Sequence, residues 1–509
     1  MSTSPAPGEG IFRFAASSPR RGAAKTIASK KSLSDGRTMH KPLWYNPAYR
    51  RRREASTVDI KVAAHLIDKN HLRSVKIGGG DLDGVFRGKR VSAEHFLSAA
   101  EGEGFPQCDV IFGWDIRDEV IGSLPFSNWE AGFGDIIMRP DLSTFAAVPW
   151  EEGCASVICD YYTEHGDPLA LAPRQVLRRV VQQARSAGYV ANMAAELEVR
   201  FFREDQESLR EKGYSDLRPL NPGLNCYSIH HASIDEPVIG RVCQMLNAYG
   251  LEVEAYNREH GAGMYEINLH YTDALRAADR TMLYKSATKE IAAQMGATPT
   301  FMAKYADDLD GSGGHIHQSL WSLDGTTSVF WGEEDGHHIS SLMRHFIAGV
   351  LATLPDFMLM YAPNVNSYKR YVARTWAPTS LTWGIDNRTS ALRAIVSSRD
   401  AIRIENRVPG ADLNPYLAFA ATLAGGLHGI EKQLEPPAAV RGSAYKSPDA
   451  ALLPNSLPQA LDTFRSSELA RRWFGDEFCD QYMAFREWEV EKHRRAVTDW
   501  ERRRYFEMV

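Results

Sequence analysis

Three short stretches set polar side chains two residues apart inside otherwise apolar runs: Ala194-Ala-Glu196-Leu-Glu198-Val, Gly314-His315-Ile-His317-Gln-Ser319 and Arg403-Ile-Glu405-Asn-Arg407. In a strand, residues i and i+2 project from one face, so each stretch brings paired acids, paired imidazoles or an Arg–Glu–Arg row to a single surface. Glu259 and Glu266 follow on a Gly-rich loop and a strand start, and Arg370, Arg388 and Arg393 lie in two further polar segments. Taken singly, each reads as a solvated sheet face, and His315 with His317 as structural histidines. Their number argues otherwise. Two carboxylates about 4 Å apart repel by on the order of 4 kcal/mol at an effective dielectric near 20, so a cavity that collects them needs cations. Several Glu with one His is an oxygen-dominated set, suited to magnesium or manganese and poor for zinc. Guanidiniums facing such a set suit a phosphate between them, which points to phosphoryl transfer from a nucleotide.

These residues need a sheet to hold them. From Val58 the chain reads as globular, with a helical pattern (Ile60, Val62, Ala63, Leu66) and then Val75–Ile77 and the turn Asp81-Leu-Asp-Gly84. Gly84-Val-Phe-Arg-Gly-Lys89 resembles a phosphate loop, but its glycines are four apart instead of five and Arg90 stands where a Ser or Thr must be, so a hairpin is expected. Short strands are expected near Val110–Trp114, Thr144–Val148 and Ala155–Tyr162. A helix face starts at Pro173 (Val176, Leu177, Val180, Val181, Ala184), and strands and helices alternate from there. Helices are expected over Pro237–Tyr249, Asp273–Gly296, Ile339–Thr353 and Pro415–Gln433, and the tail from Pro458 is charged and helical. No internal repeat is visible.

Residues 1–54 hold twelve Lys/Arg against Glu9, Asp35 and Glu54, a surplus of +9 in a chain of net charge -5, so the remainder carries -14. A disordered basic head over 1–55 is expected, with a cleaved transit segment or a true start at Met39 as alternatives. The basic run stands without an aromatic-bearing basic face, so nucleic-acid binding is not expected. No run approaches the roughly 18 apolar residues of a membrane span. Six cysteines (108, 154, 159, 226, 243, 479) with no CxxC fit a reducing, cytoplasmic setting and not a disulfide scaffold.

Taken in order, the motifs Glu196-Leu-Glu198, Gly311-Ser-Gly-Gly-His315-Ile-His317, Asn366-Ser-Tyr-Lys-Arg370, Asp386-Asn-Arg388 and Arg403-Ile-Glu405-Asn-Arg407-Val-Pro-Gly resemble the glutamine synthetase superfamily. The likeness runs from about Lys61 to the C-terminus, and includes the Asp81–Lys89 hairpin and Gly132-Phe-Gly-Asp135. It implies an α+β fold: a small β-grasp N-terminal domain over 56–165, then a large catalytic domain over 166–509 whose curved antiparallel sheet is backed by helices. It implies ATP as co-substrate and two divalent ions, magnesium or manganese. Glu198, Glu259 and Glu266 would hold the ion nearer glutamate, and Glu196, His315 and Glu405 the one nearer the ATP phosphates. Arg370, Arg407 and the backbone of Gly311 would grip glutamate. Arg388, Arg393 and Arg403 would neutralise the transferring phosphoryl group, with His317 and Ser319 on the nucleotide side. The resemblance further implies a homo-oligomer, a dodecamer of two hexameric rings, in which a neighbour's small domain completes each site. The charged tail from Thr498 would contact the other ring or form a free surface helix.

The departures carry the specificity. Glutamine makers place a Glu six residues past the Arg of the Asn-Ser-Tyr-Lys-Arg motif, where it collects ammonium and takes its proton; this chain has Trp376. The family's second ammonium-site acid has no counterpart in Gly122–Trp129, Met264 replaces a common Gln, and Asp310 replaces an Asn. An indole cannot accept a proton, but it packs against carbon and attracts a cation over its face by roughly 0.5–2 kcal/mol. The expected activity is therefore ligation of glutamate to an organic amine such as a polyamine, ethanolamine, alkylamine or arylamine. The γ-glutamylpolyamine synthetases are the subgroup it resembles most. An ammonia-using glutamine synthetase and a catalytically silent scaffold of the same fold are the alternatives. A metal-dependent amidohydrolase lacks the further His and Asp ligands it would need.

Overall fold

The computed structural model describes residues 59–333, 336–447 and 449–509, and the basic head with Met39 lies outside them. The first sheet is built of β1 (Ser74–Gly80), β2 (Phe86–Ser92), β3 (Phe105–Cys108), β4 (Asp135–Pro140), β5 (Ala146–Ala147) and β6 (Cys154–Tyr162), in the order β2-β1-β6-β4-β3 with β5 beside β6. The expected hairpin is there. β1 and β2 pair antiparallel, and the Asp81 carboxylate closes the turn by accepting from the backbone N–H of Asp83 and Val85 at 3.0 and 2.8 Å.

Two of the expected strands differ. Val110–Trp114 is not a strand: Asp109–Phe112 is a 3₁₀ turn, and the strand lies just before it at β3. Consecutive apolar residues do not separate a strand from a tight turn, and here Asp109, Ile111 and Phe112 all point inward, with Asp109 accepting from the Ser127 hydroxyl at 2.9 Å. Thr144–Val148 shrinks to β5, because Asp141 caps a 3₁₀ turn over Leu142–Thr144. β4, not expected from sequence, fills the gap.

The second sheet has nine strands: β7 (Tyr189–Phe202), β8 (Val253–Arg258), β9 (Met264–Leu269), β10 (Thr272–Asp273), β11 (Thr298–Thr300), β12 (Gly314–Ser322), β13 (Trp383–Ile385), β14 (Leu392–Ile395) and β15 (Arg403–Asn406). Its order is β13-β14-β15-β12-β7-β9-β8, with β10 and β11 pairing β7. All pairs are antiparallel except β13–β14, which corrects the purely antiparallel expectation to a mixed sheet. β7 displays the alternation that makes one face a core and the other a site. Met193, Ala195, Leu197 and Val199 are buried against helices Pro173–Ser186 and Ala274–Ala293, whereas Ala194, Glu196 and Glu198 turn to the opposite face.

Helices Ser341–Tyr361 and Pro415–Lys432 form the closest helix pair behind the sheet. Gly349, Gly425 and Gly429 allow it: a Cβ on Gly349 would sit 2.2 Å from the Gly425 carbonyl oxygen. By length and composition alone Ser341–Tyr361 is apolar enough to cross a membrane, which corrects the sequence reading, but Phe346, Val350, Leu354, Phe357 and Met358 are buried in protein. Two helices also outrun their expected ends at proline. Ile229–Tyr249 starts eight residues before Pro237, capped by Ser228, and Ser341–Tyr361 runs through Pro355. The first turns of Ile229–Tyr249 carry exposed Ile229 and Ile234, so no apolar periodicity announced them.

Buried polar clasps join the two sheets. Arg174 donates to Asp141, Asp160 and Asp279 at 2.7–2.8 Å, Asn414 donates to the carbonyls of Asp81 and Leu82, and Arg486 pairs with Asp83 at 2.8 Å. Removing one partner from such a buried set costs about 3–5 kcal/mol, so these clasps hold the small sheet in place.

Candidate active site

Register converts spacing into a site. Across the middle of the large sheet, Glu196 of β7 stands directly opposite His315 of β12 on one side and Asn268 of β9 on the other. Glu198 stands opposite Glu266, His317 opposite Glu405, and Glu405 opposite Arg393 of β14. One face thus gathers acids and bases from five strands. Glu259 joins them from the loop between β8 and β9, held by Asn257 Nδ2 at 2.8 Å.

Glu196 is the hub. His315 Nδ1 lies 2.9 Å from its Oε1 and His317 Nε2 lies 3.0 Å from its Oε2. Arg403 Nε donates to His317 Nδ1 at 3.1 Å, which fixes the tautomer: His317 must donate from Nε2 to Glu196. Burial works against charge on Glu196, but the two imidazoles hold its carboxyl well below the usual range. Burial, helped by Arg407, pushes His315 down to about 4, so it stands neutral with a free lone pair at pH 7. Glu405, 1% exposed, receives Arg393 Nη1 at 3.0 Å and a close contact from Arg407.

Glu196, His315 and Glu405 bring one potential ligand atom each to within 4.8 Å of one another, the sole such group of three among the described residues. A neutral imidazole and two carboxylates make a ligand set that fits a hard divalent ion with water completing its shell. The other expected set, Glu198, Glu259 and Glu266, lines the same cleft without closing to that distance. Here the crowding foreseen from sequence is plain. Burial, with further repulsion from neighbouring acids, pushes Glu198 up to about 7 and Glu266 up to about 9.

These shifts have a readable sign. A carboxyl raised above its unfolded value of about 4.5 stabilises the fold below that pH, and the contribution is lost as pH climbs through 7 and 9. A divalent ion held by these acids would replace those protons, so its stabilising effect would grow over the same window. In thermal denaturation, the rise in Tm on adding magnesium to EDTA-treated protein is expected to be larger at pH 9 than at pH 6. A rise independent of pH would show that the two acids do not meet the ion.

The face opens on two sides of Glu196. A cavity of about 420 Å³ is lined by Glu196, Glu198, Glu259, Glu266, Gly311, His315, Arg370, Trp376, Arg388 and Arg407. A second, of about 320 Å³, is lined by Glu196, His317, Ser319 and Arg403 with Tyr271 and Asp400. Fourteen of the fifteen expected site residues therefore sit in one or both cavities or, for Glu405, in the ligand group between them. Arg393 alone lines neither: it spans Glu405 and Asp386, at 3.0 and 2.7 Å, just behind.

In the larger cavity Arg370 is buried and anchored to the carbonyls of Val408 and Arg407 at 2.8 and 3.0 Å. Arg407 is also buried, and its Nε has no hydrogen-bond partner among the described residues. Gly311 lets them sit there. A Cβ at that position would meet Arg370 Cγ at 2.6 Å and the Ala303 carbonyl oxygen at 2.7 Å. Gly311→Ala is expected to raise the KM for the carboxylate substrate by roughly tenfold, the scale of a displaced bidentate guanidinium, with a smaller change in the KM for nucleotide. Steady-state titration of each substrate in turn checks it; equal effects on both would mean general collapse.

Trp376 stands at the mouth, 56% exposed and with φ +63, and the segment after it is pinned by the Tyr445 hydroxyl donating to the Ala377 carbonyl at 3.0 Å. Three neighbours in this cavity were not read from sequence. Tyr227 (φ +56, 70% exposed), Cys226 and His260 lie on irregular segments with no periodicity to mark them. His260 Nδ1 is 2.5 Å from Asp310, whose acidity at this position was the one available signal.

The family model described as the glutamine synthetase catalytic domain matches residues 170–505. A glutamate–isopropylamine ligase of Pseudomonas sp is 42% identical over 445 residues, covering 87% of this chain and 97% of that protein. A gamma-glutamylethanolamide synthetase of Streptomyces coelicolor is 40% identical over 444 residues, covering 87% and 95%. Among solved structures, a GmaS/ADP complex superposes with a TM-score of 0.76 at 27% identity, covering 87% of this chain and 99% of that one.

Proposed function

We propose that this chain, which belongs to the glutamine synthetase family, is an ATP-dependent ligase joining the γ-carboxyl of glutamate to an organic amine. The observation that carries the reading is Trp376 at the mouth of the acid-lined cavity, where ammonium capture would need a carboxylate.

Glutamate is held by Arg370 and Arg407, with the Gly311 backbone beside them. ATP enters the smaller cavity past Ser319 and Arg403. Two divalent ions, magnesium or manganese, held by Glu196, His315 and Glu405 and by Glu198, Glu259 and Glu266, would supply charge neutralisation at the phosphates. A γ-carboxylate oxygen of glutamate attacks the γ-phosphorus, the bond to the β–γ bridging oxygen breaks, and ADP leaves with the electron pair. Arg388 and Arg393 offset charge on the transferring group. The amine nitrogen then attacks the acyl carbon, the bond to the phosphate oxygen breaks, and the nitrogen's extra proton leaves on the departing phosphate, giving the amide and hydrogen phosphate. Trp376 and Tyr227 offer apolar faces to the carbon that such an amine carries, which favours alkyl and hydroxyalkyl amines and leaves room for longer polyamines.

An ATP-dependent phosphate-release screen with glutamate against ammonium, isopropylamine, ethanolamine, putrescine and aniline, in magnesium and in manganese, tests this. An organic amine is expected to exceed ammonium by at least about tenfold in kcat/KM, the order of discrimination an apolar pocket supplies. Ammonium matching the best amine would overturn the reading in favour of a glutamine synthetase, and no turnover at all would favour a silent scaffold. As part of the same reading we place the protein in the cytoplasm, which agrees with six free cysteines, and in a dodecamer of two hexameric rings, which light scattering would weigh directly.

A further inference from the structure

The largest cavity among those described is neither of the two above. It measures about 910 Å³ and lies beside β13, between the 383–388 stretch, the segment 436–442 and Arg344. Its walls are pinned. Val440 N donates to the Trp383 carbonyl at 2.8 Å, Trp383 Nε1 donates to the Pro437 carbonyl at 2.7 Å, and Asn387 Nδ2 donates to the carbonyls of Val440 and Gly442.

Three guanidiniums reach it: Arg344, Arg388 and Arg441. Two acids beside it, among the described residues, are already engaged. Glu435 takes Arg344 through Nε and Nη2 at 3.1 and 2.8 Å, and Asp386 takes Arg393 at 2.7 Å. Among the described residues neither Arg388 nor Arg441 has a carboxylate partner, so two guanidiniums face the cavity without a described counter-charge, beside an apolar wall of Trp383, Ile385 and Pro437. Forked guanidiniums match tetrahedral oxyanions, and two free positive charges match a dianion.

We propose that this pocket binds a phosphate monoester with an apolar or aromatic body, its phosphate on Arg388 and Arg441 and its body on the Trp383 wall. The pocket also bears on turnover, because Arg388 lines both this cavity and the 420 Å³ catalytic cavity. A phosphate seated here competes for the guanidinium that the transferring group needs, so occupancy slows ligation; this second half rests on the ligase reading above.

The test is calorimetric titration of the full-length protein with phenyl phosphate, inorganic phosphate and benzoate. Magnesium and a non-hydrolysable ATP analogue keep the nucleotide cavity filled throughout. Phenyl phosphate is expected to bind at least severalfold tighter than either probe, since one lacks the body and the other the second charge. Arg441→Glu is expected to weaken it by tenfold or more, the scale of one charge-assisted contact reversed in sign, and Arg344→Gln by less. No binding, or an affinity untouched by Arg441→Glu, overturns the pocket. In the phosphate-release assay, each protein is compared with itself with and without phenyl phosphate at saturating ATP. Inhibition present in the parent and lost in Arg441→Glu supports the link to Arg388, and binding without inhibition overturns that link. If no amine supports turnover while Arg441-dependent binding persists, the ligase reading has failed and the pocket stands.

Discussion

Glu266→Gln is expected to abolish most phosphate release, by about 10²–10³-fold, the scale of losing one group that stabilises charge at the reacting centre, while leaving the metal-free protein as stable as its parent. The two halves follow from one fact. Burial, Glu196 and its other acidic neighbours push the Glu266 carboxyl up to about 9, so without an ion it is protonated at pH 7 and a neutral glutamine copies it in shape and charge. The contact from Asn268 Nδ2 at 2.8 Å survives, because a glutamine oxygen still accepts it. What is lost is the negative charge that appears only when a cation arrives. Glu405→Gln makes the contrast. That carboxylate is buried and already paired with Arg393 and Arg407, so neutralising it leaves Arg393 with Asp386 alone and the buried Arg407 without its carboxylate, and costs stability as well as activity, about 3–5 kcal/mol. Thermal denaturation in EDTA beside the phosphate-release assay separates the two variants. A Glu266→Gln protein that melts like Glu405→Gln, or that keeps activity within about threefold, would remove Glu266 from the ion site.

How far the sequence leads is clear from where it stops. Period-two spacing sufficed to place Glu196 with Glu198 and His315 with His317 on one face, because a strand leaves no other choice. It could not say that His315 faces Glu196 or that Glu198 faces Glu266, since register between strands more than fifty residues apart is set by the whole apolar pattern of the sheet. Motif order supplied that information through resemblance. Elsewhere the signal was weaker or misleading. Val-Ile-Phe at 110–112 has strand-like composition but turns, and Pro237 reads as a helix start but sits in the interior of one. Tyr227 and His260 are exposed residues on irregular segments, where neither periodicity nor a cap constrains identity. The pocket beside β13 was invisible for a related reason, since its arginines come from three separate segments with no shared spacing.

The acids of the larger cavity explain why the residue at 376 can decide the nucleophile. Burial and mutual repulsion leave Glu198 and Glu266 holding protons near neutral pH without an ion, and an ion bound there would take up their charge, so attraction to these acids does not select among amines. Selection falls to the part of the wall that meets what the cation carries: hydrogens in ammonium, carbon in an organic amine. Trp376→Glu is therefore expected to lower kcat/KM for isopropylamine and raise it for ammonium, moving their ratio by about 10², the discrimination a hydrophobic pocket exerts over a few carbons. The fold should tolerate the change. Trp376 is 56% exposed, and the backbone after it is held by the Tyr445 hydroxyl independently of the indole. Two further variants separate the apolar face from the missing proton acceptor. Trp376→Phe keeps an apolar face and gains no proton acceptor, so it should retain the amine preference while losing some affinity. Trp376→Gln removes the face and also gains no acceptor, so it should lose isopropylamine without gaining ammonium. An unchanged ratio in Trp376→Glu would take the indole out of the selection. Equal gains for ammonium in the Glu and Gln variants would mean that its role is only to fill space.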